Sequence, residues 1–114
     1  MNEGAAIVET SVIIAVRNGE RFLGEAIRSV LAQVSATDEL IVVDDGSTDR
    51  SAQIAASTAD PRVQLIQQDR RGVSAARNRG VSAANGCFLA FLDHDDLWPS
   101  ERHGILIEAL YQNR

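Results

Sequence analysis

Three carboxylates fall within four residues at Asp93-His94-Asp95-Asp96, directly after the unbroken apolar run Phe88-Leu89-Ala90-Phe91-Leu92. Carboxylates this close repel one another, so the cluster calls for a positive partner. Their oxygens are the ligands that magnesium and manganese prefer. Such a cation could bridge to the oxygens of a diphosphate and neutralise charge on it as it leaves. The plainer alternative is a solvated loop that caps the following helix. A second acidic stretch, Asp44-Asp45-Gly46-Ser47-Thr48-Asp49, follows Leu40-Ile41-Val42-Val43. Its acceptors suit the imide N–H of uracil or ribose hydroxyls, beside a glycine that lets a ligand approach the backbone. Taken alone, it reads as a turn and helix cap.

The positive counterpart lies between them. Arg70, Arg71, Arg77 and Arg79 are four of the eleven basic residues. Arginine at such a place can pair with phosphate oxygens. Arg79 reads better as part of a solvated helix face, and Asn78 as a hydrogen-bonding support for the acidic loops. His94 reads as a packed or exposed loop residue rather than a required ligand, and His103 as a surface residue. Cys87, the one cysteine, has no internal disulfide partner and reads as a small buried hydrophobe.

The elements that must position these groups alternate regularly. Thr10 to Val16 is β-branched and apolar, hence a buried strand. A helix from about Glu20 to Gln33 carries Phe22, Leu23, Ala26, Ile27, Val30 and Leu31 on one apolar face. Leu40–Val43 is the second strand, followed by a short helix from Arg50 to Ser57 with Thr48 or Asp49 as its N-cap. Val63–Gln67 has the looser pattern of an edge strand. An alanine-rich helix from Val73 to Ala84 stops at Asn85-Gly86. The fourth strand, Phe88 to Leu92, reads as covered on both faces. Pro99 and Ser100 open a last helix with Ile105, Leu106, Ala109 and Leu110 as its apolar face.

Four strand–helix alternations imply parallel units with right-handed crossovers. The expected fold is an α/β Rossmann-like three-layer sandwich with a mainly parallel sheet of order 3-2-1-4. The loops after strands one, two and four then meet at the switch point on one rim.

The chain of 114 residues is one domain in length, 45% hydrophobic and 24% charged, with net charge −5. No basic stripe accompanies that charge, so nucleic acid is not an expected partner. Met1-Asn2-Glu3-Gly4 lacks the basic start of a secretory leader, and no apolar run approaches the ~20 residues of a membrane helix. A cytoplasmic location is the expectation. Neither a Gly-Lys-Ser/Thr phosphate loop nor a Gly-x-Gly-x-x-Gly turn is present, and the acidic loop lacks the spacing of an EF-hand. A receiver-like or phosphatase-like reading needs an acid directly after strand one and a late lysine. Arg17-Asn18 stand there instead, and the sequence has no lysine.

The chain resembles the nucleotide-binding half of a family 2 glycosyltransferase of the GT-A type. The resemblance rests on Ser11–Gly19, Ser29-Val30-Leu31-Ala32-Gln33, Val42–Asp49, Gly72–Gly80 and Phe91–Pro99, which cover nearly the whole chain in the family's order. It implies metal-dependent transfer of a sugar from a nucleoside-diphosphate donor, UDP-sugar favoured, to a hydroxyl of a carbohydrate or lipid-linked acceptor, with inversion. The implied nucleotide-binding residues are Ala15, Arg17, Asn18, Asp44, Asp45, Arg71, Asp93 and His94, with Asp45 on the base. Asp95 and Asp93 would hold Mn2+ or Mg2+. Residues 1–114 would thus be the donor-binding part of such a domain, reduced on its C-terminal side.

Two positions depart from the family's pattern. Arg17 stands where an aromatic residue is common, and His94 replaces a small residue inside the acidic motif. The family's acceptor site and general base lie in a later half, so no residue here is assigned as that base. A non-catalytic nucleotide-sugar or metal-binding module is the alternative. A fourth strand apolar on both faces and unprotected at an edge adds the expectation of self-association or of a missing C-terminal half.

Overall fold

The computed structural model describes residues 7–112; the opening residues Met1 to Gly4, considered above for a leader, lie outside them. Four strands form one parallel sheet in the order β3-β2-β1-β4. They are β1 (Thr10–Val16), β2 (Glu39–Asp45), β3 (Val63–Gln68) and β4 (Phe88–Phe91). Between and after them run α1 (Leu23–Leu31), α2 (Ser51–Ala56), α3 (Val73–Ala83) and α4 (Arg102–Gln112). The order matches the one read from the sequence.

The handedness of the crossovers sorts the helices into layers. The chain steps from β1 to β2 to β3 in one direction, then returns past β1 to β4. A right-handed return must cross the opposite face. Val12, Ile14, Val16, Leu40 and Val42 therefore pack under α1, whose Leu23, Ala26, Ile27 and Val30 are buried. Ile13, Ile41, Val43 and Ile66 meet Ala76 of α3 on the other face. The alternation of side chains along a strand makes this division automatic. Each fully buried Ile, Leu or Val contributes about 1.5–3 kcal/mol.

Element ends differ from the sequence reading for local reasons. α1 begins at Leu23 because Gly19 O first accepts the N–H groups of Phe22 and Leu23 in a turn. Phe22, assigned to the apolar face, is exposed, with the Arg21 guanidinium 5.1 Å over its ring. α4 begins at Arg102 rather than Pro99, because Glu101 has φ 67°, outside the helical region. The N-cap of α2 is Arg50 rather than Thr48 or Asp49, and Asp49 supports the first turn from one residue earlier, its Oδ1 accepting from the Ser51 N–H at 2.9 Å and the Ser51 hydroxyl at 2.6 Å.

Four expectations are corrected on the β4 side. β4 is not covered on both faces: Leu89 and Phe91 are 44% and 45% exposed, while Phe88 and Ala90 turn toward the protein. The supposed apolar face of α4 is open, with Ile105, Leu106 and Leu110 exposed. The residue α4 buries is His103, expected at the surface. Cys87 is exposed rather than buried. No described helix is long and apolar enough to cross a membrane.

Candidate functional site

Parallel strands put every strand's carboxyl end on one rim. Register pairs Val16 with Asp44 across β1–β2 and Ile13 with Phe91 across β1–β4. The Leu92 N–H continues the β4 ladder to Ile13 O at 3.1 Å, and Asp93 follows immediately. Arg17, Asp45 and the Asp93–Asp96 loop thus converge, although up to some eighty residues of sequence separate them.

A cleft of about 230 Å³ opens there, lined by Ala15, Val16, Arg17, Asp45, Arg70, Gly72, Val73, Ala76 and His94. Its floor is set by Asp45, which is 3% exposed. Oδ1 accepts from Gln68 Nε2 at 2.9 Å and the Arg71 N–H at 2.8 Å, and Oδ2 accepts from the Gly72 N–H at 2.9 Å. Burial pushes this carboxyl up. The hydrogen bonds from Gln68, Arg71 and Gly72 and the charge of Arg70 outweigh that and hold it below the usual carboxylate range. Asp45 is therefore anionic, and it pins the loop that forms one cleft wall. Oδ2, which accepts a single hydrogen bond, keeps a lone-pair direction for a further donor.

Gly46 turns the chain at the end of β2 with φ 72°. A side chain there would lie 2.8 Å from the Arg70 backbone. The space expected for a ligand is thus occupied by the chain's own 70–72 loop. Gly19 makes room of the same kind for His94: a Cβ at Gly19 would sit 2.5 Å from His94 Nδ1. The imidazole that replaces a small residue in the acidic motif is accommodated by packing against Gly19 and Val16.

The sequence-predicted residues divide into groups. Ala15, Arg17, Asp45 and His94 share the cleft. Asn18 faces the β2–α2 loop, accepting from the Thr48 N–H at 2.8 Å while its own N–H donates to Ser47 Oγ at 2.9 Å. Asp44 points off the other side of β2, lining a shallow depression with Gly46, Ser47 and Arg71. Asp93 is exposed and paired with Arg77 at 2.8 Å; Arg77, not the exposed Asn78, reaches the acidic loop. Sequence reasoning missed Gln68 as the partner of Asp45, and Gly72, Val73 and Ala76 as walls.

Ligand atoms of Asp93, Asp95 and Asp96 all lie within 4.8 Å of one another, on exposed side chains. An all-carboxylate, accessible set of this size fits a hard divalent ion. Behind it the loop is anchored firmly. Trp98 is buried and its backbone N–H donates to Ser29 Oγ at 3.0 Å. Gln33 Nε2 donates to Trp98 O at 3.3 Å and Pro99 O at 2.7 Å, and Gln33 Oε1 accepts from the His103 N–H at 2.9 Å. Ser29 of α1 and Gln33 just after it, both in the Ser-Val-Leu-Ala-Gln segment, thus hold the end of the acidic loop.

Fold and rim together define a Rossmann-like α/β class, with its crevice at the switch point between β1, β2 and β4. The profile of Glycosyl transferase family 2 matches residues 11–114, and the chain belongs to that family. It is 41% identical over 106 residues to an uncharacterized glycosyltransferase, EpsJ of Bacillus subtilis, covering 91% of this chain and 31% of that protein. The S. aureus TarS 1-349 structure in complex with UDP-GlcNAc superposes with TM-score 0.85 at 28% identity, over 92% of this chain and 32% of that one. The mannosyltransferase PcManGT from Pyrobaculum calidifontis, in complex with GDP-Man and Mn2+, superposes with TM-score 0.73 at 26% identity, over 84% and 30%. The chain spans about a third of the length of these proteins.

Proposed function

We propose that residues 1–114 form the donor-binding part of a metal-dependent glycosyltransferase. The enzyme would move a sugar from a nucleoside diphosphate, UDP favoured, to a hydroxyl of a carbohydrate or lipid-linked acceptor with inversion. The observation that carries the reading is the convergence on one rim of a cleft ending in an anionic Asp45 and a three-carboxylate cluster beside it. Buried polar atoms without a partner among the described residues support it: Arg17 Nε and His94 Nδ1 belong to cleft residues, and Asp44 Oδ1 lies at the same rim. Unsatisfied buried groups are costly, and a ligand's oxygens or N–H groups would satisfy them.

In this reading Asp45 accepts from the base, and Arg17 lays its guanidinium plane where an aromatic would stack. Ala15 and His94 wall the base site. Asn18 and Asp44 shape the loop beside it, and Arg71 offers charge to the diphosphate. Asp95 and Asp93 would hold Mn2+ or Mg2+, which supplies charge neutralisation to the leaving diphosphate. Relatives solved with UDP-GlcNAc and with GDP-Man and Mn2+ support a nucleotide-sugar donor and a divalent ion. A cytoplasmic location, with access to nucleotide sugars, completes the proposal.

The test is calorimetric titration of UDP, GDP and CMP in the presence of Mn2+. UDP is expected to bind at least ten-fold more tightly than the others; equal or absent binding of all three contradicts the base assignment. Release of UDP from a UDP-sugar by a longer form of the protein would then separate an enzyme from a non-catalytic binding module.

A further inference from the structure

The opposite rim of the sheet, where the strands begin, carries a second cluster. Glu9 precedes β1, Asp38 precedes β2, and His103 reaches in from the first turn of α4. Asp38 is 4% and His103 8% exposed. One ligand atom from each of the three lies within 4.8 Å of the others. A buried carboxylate and imidazole are brought together with a half-buried second carboxylate beside them, which is expensive unless a positive charge joins them.

The geometry around these donors is fixed from outside. Asp38 Oδ1 accepts from the Thr10 N–H at 3.0 Å and Oδ2 from the Ser35 N–H at 2.9 Å. Glu9 Oε2 accepts from the Tyr111 hydroxyl at 2.7 Å. The His103 ring stacks on Trp98, with centroids 5.6 Å apart and planes 17° from parallel. Outer hydrogen bonds that orient first-coordination donors are the usual companions of a metal ion. Each Asp38 oxygen retains a free lone pair.

The central distance fits an ion between the two groups. His103 Nε2 lies 3.3 Å from Asp38 Oδ2. That is longer than a charge-assisted N–H···O bond at about 2.7–2.9 Å. It is close to the separation of about 3.4 Å between two donors on a tetrahedral zinc with bonds of about 2.0–2.2 Å. The Thr10 hydroxyl, on the residue whose N–H holds Asp38, is buried without a partner among the described residues.

We propose that Glu9, Asp38 and His103 bind a divalent cation, zinc by the mixed nitrogen and oxygen donor set, which clamps α4 to the starts of β1 and β2. α4 needs such a clamp, since most of its apolar side chains face solvent. The clamp also fixes the Trp98 end of the acidic loop, because His103 and Trp98 are stacked. This site is independent of the donor-binding reading.

The test is titration of Zn2+ alone into the chelator-stripped chain, read by calorimetry and by the thermal midpoint. Expected is a zinc-binding event that raises the midpoint, survives Asp95→Asn, and weakens at least ten-fold in His103→Gln and Glu9→Gln. Tyr111→Phe, which frees Glu9, should weaken it less. Glu9→Gln is the decisive variant, because half-buried Glu9 as glutamine still offers an oxygen to the Tyr111 hydroxyl and the fold is not at stake. Cobalt in place of zinc should give visible absorption that the same variants abolish. Zinc binding unchanged in Glu9→Gln, lost in Asp95→Asn, or absent from the wild-type chain overturns the proposal.

Discussion

The β1–β2 half and the β4–α4 half of this molecule are built on different terms. β1 and β2 are flanked by neighbours on both edges and covered on both faces, and Val12, Ile14, Leu40, Ile41, Val42 and Val43 are 0–1% exposed. β4 has a free edge and one open face. Its helix touches the body through Phe88–Tyr111, with ring centroids 5.5 Å apart, and through the Trp98–His103 stack. The first half is a rigid base for the cleft. The second depends on a few polar pins to hold the acidic loop. Stability and function are therefore expected to separate along this line.

The largest contrast should come from core truncation. Ile27→Ala, at a residue 1% exposed, should cost about 3 kcal/mol in urea unfolding, against about 1 kcal/mol or less for Phe91→Ala. Equal costs would erase the distinction. Asp45→Ala comes next. It strips the acceptor from Gln68, Arg71 and Gly72 and should cost about 2 kcal/mol, together with UDP binding. Gln33→Ala, which removes the pins on Trp98 O, Pro99 O and the His103 N–H, should cost about 1 kcal/mol while weakening Mn2+-dependent UDP binding more than Phe91→Ala does.

Acid should act on the β1–β2 side. Burial raises Asp45 and Asp49, but hydrogen bonds bring both below their ordinary value, helped at Asp45 by the charge of Arg70. Arg62 draws Asp60 down to about 2. Depressed carboxyls stabilise the fold fully above the ordinary value near 3.8, and that contribution is lost as pH falls through the lowered values. Stability should thus decline as pH drops from about 4 toward 2. In the Asp45→Asn variant this acid slope should be shallower. The smallest effect is association through the open β4 edge: light scattering at high concentration should show self-association, and a monodisperse monomer would count against it.

Much of the first half was legible in the sequence. Strand–helix alternation with a reversal before the last strand is enough to place three distant loops on one rim, since crossover handedness leaves few alternatives. The second half was not legible for a physical reason. An apolar run such as Phe88–Phe91 reports what a strand can bury, not what covers it, so Leu89 and Phe91 were misassigned. His103 was read as surface because its partner, Asp38, lies 65 residues earlier and nothing local signals the contact. Within the site, Asp45 and the Asp93–Asp96 cluster declare themselves by charge. Gly72, Val73 and Ala76 form walls by being small, which carries no chemical signature, and Gln68 acts only through its register opposite Asp45.

The most direct test of the central claim is titration of UDP into the wild-type chain and into Asp95→Ala, with Mn2+ and then with excess EDTA. Asp95 is exposed, so its loss should change stability by no more than about 0.5 kcal/mol. The account predicts binding that needs Mn2+ and disappears in Asp95→Ala with the fold intact. UDP binding unchanged by EDTA and by Asp95→Ala would contradict it.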